Sequence, residues 1–160
     1  MTNRAEKEKI KIEGRVDLWV KEFVVGLGLC PFAKRVLDSE SVRYKVSSAG
    51  TQIELLCDLE SELELLQQNQ ELATSLLITA HLLEDFDDYL DFLEIAQQLL
   101  EDSELTGVFQ LASFHPQYQF TNTTPDALEN FSNKSPYPII HILRENQLQS
   151  AIEAFGDTST

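Results

Sequence analysis

Lysine and arginine are missing from residues 46 to 133 of this 160-residue chain, a stretch that holds seventeen aspartates and glutamates. Ten of the twelve cations lie before it, and the formal net charge is -15. A nucleic-acid backbone and an anionic membrane face both require clustered Lys and Arg, so neither is expected as a partner. The acidic middle reads as solvated helix surface, with a docking face for a basic protein as the alternative. Long apolar runs are absent too. None approaches the ~20 residues of a membrane-spanning helix, and the opening MTNRAEKEKIKIEG lacks the apolar stretch of a secretory signal. A cytoplasmic location is the expectation. Cysteine is scarce, with only Cys30 and Cys57. Without an export signal these are expected to be reduced thiols rather than a structural bridge. No GxGxxG or phosphate-loop signature occurs, so a dinucleotide or nucleoside triphosphate has no support and the cofactor is left unspecified.

What is present suffices for one core. At 42% hydrophobic residues the chain is expected to form a single α/β domain over 14–156, after a charged, frayed leader (1–13) and before a short tail (157–160). Val16, Trp19, Val20, Phe23, Val24 and Leu27 recur at helical spacing, and Gly26 and Gly28 stop that helix. Val42, Tyr44 and Val46 alternate with Arg43, Lys45 and Ser47 as in an edge strand with one wet face. Thr51 with Glu54 is a capping box, followed by a helix whose inward line is Gln52, Leu56, Leu59, Leu63 and Leu66, with Cys57 beside it in the core. TSLLITA (74–80) is apolar on both alternations and predicts a strand covered on two faces. The next helix places Phe86, Tyr89, Leu90, Leu93, Ala96 and Leu100 on one face. GVFQLASF (107–114) and PIIHIL (138–143) are further strands, separated by a long polar loop with a helix start at Thr124 to Leu128. A last helix is expected from Glu145 to Phe155. Two successive βα units favour right-handed crossovers and a parallel group of three strands. The expected fold is an α/β sandwich with a four-stranded, mostly parallel sheet, the fourth strand's direction open. A ferredoxin-like arrangement is the alternative, disfavoured by a helix where it would have a hairpin.

Parallel strands bring their carboxyl ends to one edge, where open α/β sheets bind ligands. Ser47 and Ser48 follow the first strand, His81 the second, and Ser113 with His115 closes the third, while His141 lies inside the fourth. Each histidine, taken alone, reads first as a structural imidazole bonded to backbone, and only their joint placement at strand ends raises the site reading. In GLGLCPFAKR (26–35), Pro31 suits the first position of a short helix, which makes Cys30 its N-cap residue. Unpaired amides, the positive end of a helix dipole, Lys34 and Arg35 would all favour thiolate over thiol. Cys30 is therefore a candidate nucleophile, redox thiol or soft metal ligand; simple packing under the glycine turn is the alternative. FHPQYQF (114–120) and NKSPYPIIHILRE (133–145) each mix aromatics, proline and ionisable groups, and their prolines stiffen the backbone around His115 and Tyr137.

With G-L-C-P-F-A at 28–33, F-H-P-Q-Y-Q-F at 114–120 and N-K-S-P-Y-P-I-I-H-I-L-R-E at 133–145, the chain resembles the bacterial family catalogued as domain of unknown function 1415, over nearly its whole length. Arginine is usual in that family where this chain has Lys134, which keeps the charge but not the planar two-pronged donor. The resemblance implies kinship and a shared motif set, with no reaction attached.

Three functions compete. The first is a small enzyme or small-ligand protein in which Cys30 is nucleophile or redox thiol, His115 or His81 its base, and Lys34, Arg35, Lys134, Tyr137 and Arg144 hold a small anionic ligand. The second is a metal site drawn from Cys30, His81, His115, His141 and Glu145, although no CxxC or HxxxH pair sets two ligands on one turn. The third is a non-enzymatic acidic adaptor whose two acidic helices dock a basic partner.

Overall fold

The structure, a computed structural model, describes residues 4–25 and 42–145, without the side chains of 23–25, 129, 131 and 132. The glycine turn at 26–28, the segment with Cys30, Lys34 and Arg35, and the last helix beyond residue 145 lie outside the described residues. The elements are α1 (Arg4–Trp19), a π-helical turn (Val20–Val25), β1 (Val42–Ser47), α2 (Gln52–Gln68), β2 (Thr74–Thr79), α3 (Phe86–Asp102), β3 (Phe109–Phe114), a 3-10 helix (Leu128–Asn133) and β4 (Ile139–Arg144).

Helix α1 begins in the segment expected to be a frayed leader. Its Ala, Glu and Lys residues are good helix formers, and Ile12, Val16 and Trp19 anchor it through a buried stripe. The capping box of α2 is present in shifted form: Thr51 Oγ1 accepts from Glu54 N at 3.2 Å, while Glu54 Oε2 accepts from the Gly50 amide at 2.8 Å, one residue before the cap. Asp85 caps α3 by accepting from the amides of Asp87 and Asp88. The helix start expected at Thr124 is instead a turn, Ala127 N to Thr124 O, and only a 3-10 helix follows.

The four strands form one open, mixed sheet in the order β1-β2-β4-β3. β1 and β2 are parallel, and β4 is antiparallel to both of its neighbours. The expected contiguous parallel trio is thus replaced by a sheet in which β4 sits between β2 and β3. Burial explains the order. Ile139, Ile140 and Ile142 of β4 are completely buried, which suits a strand covered on both faces, whereas β3 is mostly half-buried and takes an edge. Because β4 runs the other way, β1, β2 and β3 still point in one direction, and their carboxyl ends share one edge with the start of β4. The chain passes from β2 to β3 through α3, not through the hairpin of a ferredoxin-like arrangement.

Alternation along the strands divides the core in two. Leu77, Ile140 and Ile142 pack with Leu55, Leu59, Leu63 and Leu66 of α2 and Tyr89, Phe92, Ala96 and Leu100 of α3. Leu76, Ile78, Ile139 and Val46 pack with Ile12, Val16, Trp19 and Val20. The buried line of α2 starts at Leu55, and Cys57 is an exposed free thiol rather than a core residue. Two positions from Leu55 and from Leu59 is about 200° around the helix, on the far side from the core. Likewise Phe92 is buried and Leu90 exposed in α3. No helix among the described residues is long and apolar enough to cross a membrane.

Candidate functional site at the carboxyl edge

His115 follows β3 directly and is completely buried. Its amide donates to Asn133 O at 3.0 Å, its carbonyl accepts from Ser135 N at 3.4 Å, and Asn133 Nδ2 donates to Ser113 O at 2.9 Å. The segments 113–120 and 133–137 are thereby tied together at the carboxyl edge. The imidazole lies against the rings of Tyr89 and Phe86, with centroids 4.9 and 5.2 Å away. Its Nδ1 accepts from the Gln117 amide at 3.0 Å, which leaves the proton on Nε2 to donate to Leu83 O at 2.8 Å. Burial lowers the pKa of His115 below the ordinary imidazole value, against the Leu83 carbonyl and the Asp85 charge, which act the other way. Leu83 itself has φ 64°, a left-handed conformation costly for a residue with a Cβ, and the His115 bond helps to hold its carbonyl in place.

Tyr89 completes this node from α3. Phe114 and Ile139 are cross-strand partners, yet Phe114 N donates to the Tyr89 hydroxyl at 2.9 Å and that hydroxyl donates to Ile139 O at 2.5 Å. The phenol thus stands between β3 and β4 as a relay at their open end. Burial raises its pKa, so it stays protonated as this relay requires.

On the opposite face, Trp19 meets Phe114 edge-on at 5.1 Å. Arg15 Nη1 donates to the Tyr137 hydroxyl oxygen at 3.2 Å, beside a depression of about 250 Å³ lined by Arg15, Leu18, Trp19, Glu22 and Pro136. His81, after β2, is exposed and has Nε2 2.9 Å from Glu8 Oε1. At the end of β1, Ser47 donates to Asp58 at 2.6 Å, and Ser48 joins Cys57, Asp58, Ala49, Ile53 and Glu54 around a second depression of about 330 Å³.

The remaining candidates serve other contacts. His141 lies inside β4, where its Nε2 is 2.8 Å from Thr74 Oγ1. The Thr74 hydroxyl gives its proton to Ile142 O at 2.5 Å, so His141 is the donor to Thr74. Burial pulls the His141 pKa down to about 4. Lys134 Nζ donates to Pro125 O at 2.8 Å and closes the long loop. Arg144 stands at the far end of β4 from Ile139, about 17 Å away at strand rise. There its Nε donates to Leu72 O at 2.9 Å and one Nη to Leu66 O at 2.6 Å and Asn69 O at 2.9 Å, capping the end of α2. Its guanidinium carbon also lies 5.8 Å over the Phe109 ring. Glu145 is at that same far end, its amide donating to Val108 O.

The edge therefore gathers His81, His115 and Tyr137, and leaves Arg144, Glu145 and His141 elsewhere. Among the described residues, no group of three or more His, Cys, Asp or Glu is placed to hold a metal ion. Sequence reading missed Arg15, Tyr89 and Asn133 as parts of the edge. The one signal for Tyr89 was a hydroxyl on the inward face of a helix, which must find a partner when buried.

Two of the three motif segments thus meet in one place. The chain belongs to the family described as Protein of unknown function (DUF1415). That family's model matches residues 11–160, which takes in all three motif segments. No curated protein and no solved structure matches this DUF1415 chain.

Proposed function

We propose that this DUF1415 protein is a small cytoplasmic enzyme or small-ligand protein, an α/β sandwich whose site lies at the carboxyl edge of β1 to β3. Cys30 is its nucleophile or redox thiol, and Lys34 and Arg35 attract the anionic part of the ligand. Of the two edge imidazoles, His81 suits the base, since its side chain is 71% exposed. His115 positions the surrounding loops, because backbone groups engage both of its ring nitrogens. The observation that carries this reading is the joining of 113–120 to 133–137 through His115 and Asn133, which supports a site built from the family's motif segments.

The test is site-resolved iodoacetamide labelling of the native protein between pH 5 and 9, read by peptide mass spectrometry. Cys57, an exposed free thiol, is labelled in the same experiment and serves as the internal comparison. Cys30 is expected to reach half-maximal labelling about one pH unit or more below Cys57. A Cys30 midpoint near the ordinary thiol value of ~8.5 would remove the reactive thiol from this reading.

A further inference from the structure

We propose that the depression between α1 and the Ser135–Pro138 segment binds a small organic carboxylate with an apolar body, held by Arg15 and Tyr137. Arg15, Leu18, Trp19 and Glu22 recur at intervals of three, one and three, so they form a single stripe along α1 and into the π-helical turn. Pro136, fixed by the Ser135 Oγ to Tyr137 O bond at 2.5 Å, faces this stripe and closes a space of about 250 Å³. The walls are the Trp19 ring, the exposed Leu18 side chain and the proline ring. Such walls favour an apolar body of aromatic or branched aliphatic size.

The polar contacts fix the charge of the ligand. Arg15 uses one Nη to donate to the phenolic oxygen of Tyr137, which holds that hydroxyl beside the lining guanidinium and leaves its O–H free to donate to a ligand. The remaining guanidinium N–H groups and this O–H can converge on one anion. A guanidinium with a second donor beside it matches the two oxygens of a carboxylate. Glu22, which shares the lining two turns further along the stripe, and the overall charge of -15 repel a phosphate dianion more strongly than a monoanion. The ligand class is therefore a monoanionic carboxylate with an aromatic or branched aliphatic body. This deepens the small-ligand reading by naming the anion's chemistry and a second contact surface for it, but it does not depend on the thiol.

The chain's one tryptophan lines the site, so its fluorescence reports occupancy directly. Phenylacetate and isovalerate are titrated into the full chain, with phenylacetamide, inorganic phosphate and sodium chloride as controls at matched ionic strength. A saturable change in Trp19 emission with both carboxylates, but not with the three controls, is expected. Arg15→Gln should weaken it about tenfold and Tyr137→Phe about threefold. Circular dichroism confirms that both variants fold, as the exposure of Arg15 favours. The proposal is overturned by the absence of a saturable change up to about 20 mM, by an equal response to the amide or to phosphate, or by full affinity in Arg15→Gln. Cys30→Ser separates the two readings: unchanged carboxylate binding in that variant, alongside an ordinary Cys30 labelling midpoint in the native protein, keeps this site and removes only the reactive thiol.

Discussion

Arg144 shows how little a residue's type says about its task. In a chain so poor in cations it looked like a contact for an anionic ligand, yet its planar fork satisfies three carbonyls at the end of α2. Burial depresses its pKa, opposed by the charge of Glu71, and the three carbonyls compensate the buried charge. Arg144→Ala is expected to lower the free energy of unfolding by about 3 kcal/mol, because those carbonyls lose their donors and the Phe109 ring its cover. Urea denaturation measures it. Arg144→Lys should recover only part of the loss, since an ammonium cannot reproduce the fork. Glu62 is the companion case. Completely enclosed on α2, it accepts from Arg43 Nε at 2.8 and 3.1 Å and from Ser75 Oγ at 2.8 Å, so a helix pattern that reads Glu as outward is overridden by a strand arginine reaching across.

At the scale of elements, the tie between α3 and the β3–β4 pair decides the shape of the carboxyl edge. Tyr89 takes the place of a direct bond between Phe114 and Ile139, and His115 fixes the loop before α3 to the turn after β3. Tyr89→Phe removes the relay while keeping the ring. It should cost about 2 kcal/mol, from one amide and one carbonyl left unpaired in the interior. Hydrogen exchange is the sharper measurement: the Phe114 amide is expected to lose protection by more than amides in the middle of β3, and uniform loss along the strand would contradict the relay. Helices α2 and α3 were legible in the sequence because their periodicity is a local property, whereas the first three turns of α1 were read as a frayed leader. Thr51 acts as a cap, and Leu59, Leu63, Leu66, Tyr89, Ala96 and Leu100 face inward as their spacing implies, while the Asp85 cap emerged only from the structure. The edges of each stripe were not legible. Leu90 and Cys57 ended outside and Phe92 and Leu55 inside, since the width and centre of a buried stripe depend on the angle at which the helix meets its neighbours.

The whole molecule carries its histidines into the balance between folded and unfolded states. His141 has a folded pKa near 4, and His115 is also lowered, both by burial, while an unfolded imidazole titrates near ~6.5. Below that value the unfolded chain binds protons that the folded chain refuses, so stability is complete above pH ~6.5 and declines as pH falls toward the folded pKa. For His141 the loss approaches about 3 kcal/mol by pH 4. Relief of repulsion among the seventeen acids of residues 46–133 works in the other direction, so the difference between proteins is the informative quantity. Urea midpoints of the native chain and of His141→Gln should converge as pH falls from 7 to 4.5. Parallel curves would show that His141 contributes nothing to the acid response.

The placement of α2 and α3, the Thr51 cap, the buried character of 74–79 and the scarcity of cations were determined by the sequence itself, because each rests on residues within a few positions of one another. Only the tertiary structure decided that β4 inserts between β2 and β3, that Arg144 serves a helix end and that Arg15 meets Tyr137, 122 residues away. Strand order follows from which apolar faces find cover on both sides, and a long polar side chain takes whichever partner folding brings within reach. Both are properties of distant segments in contact, which no local pattern encodes.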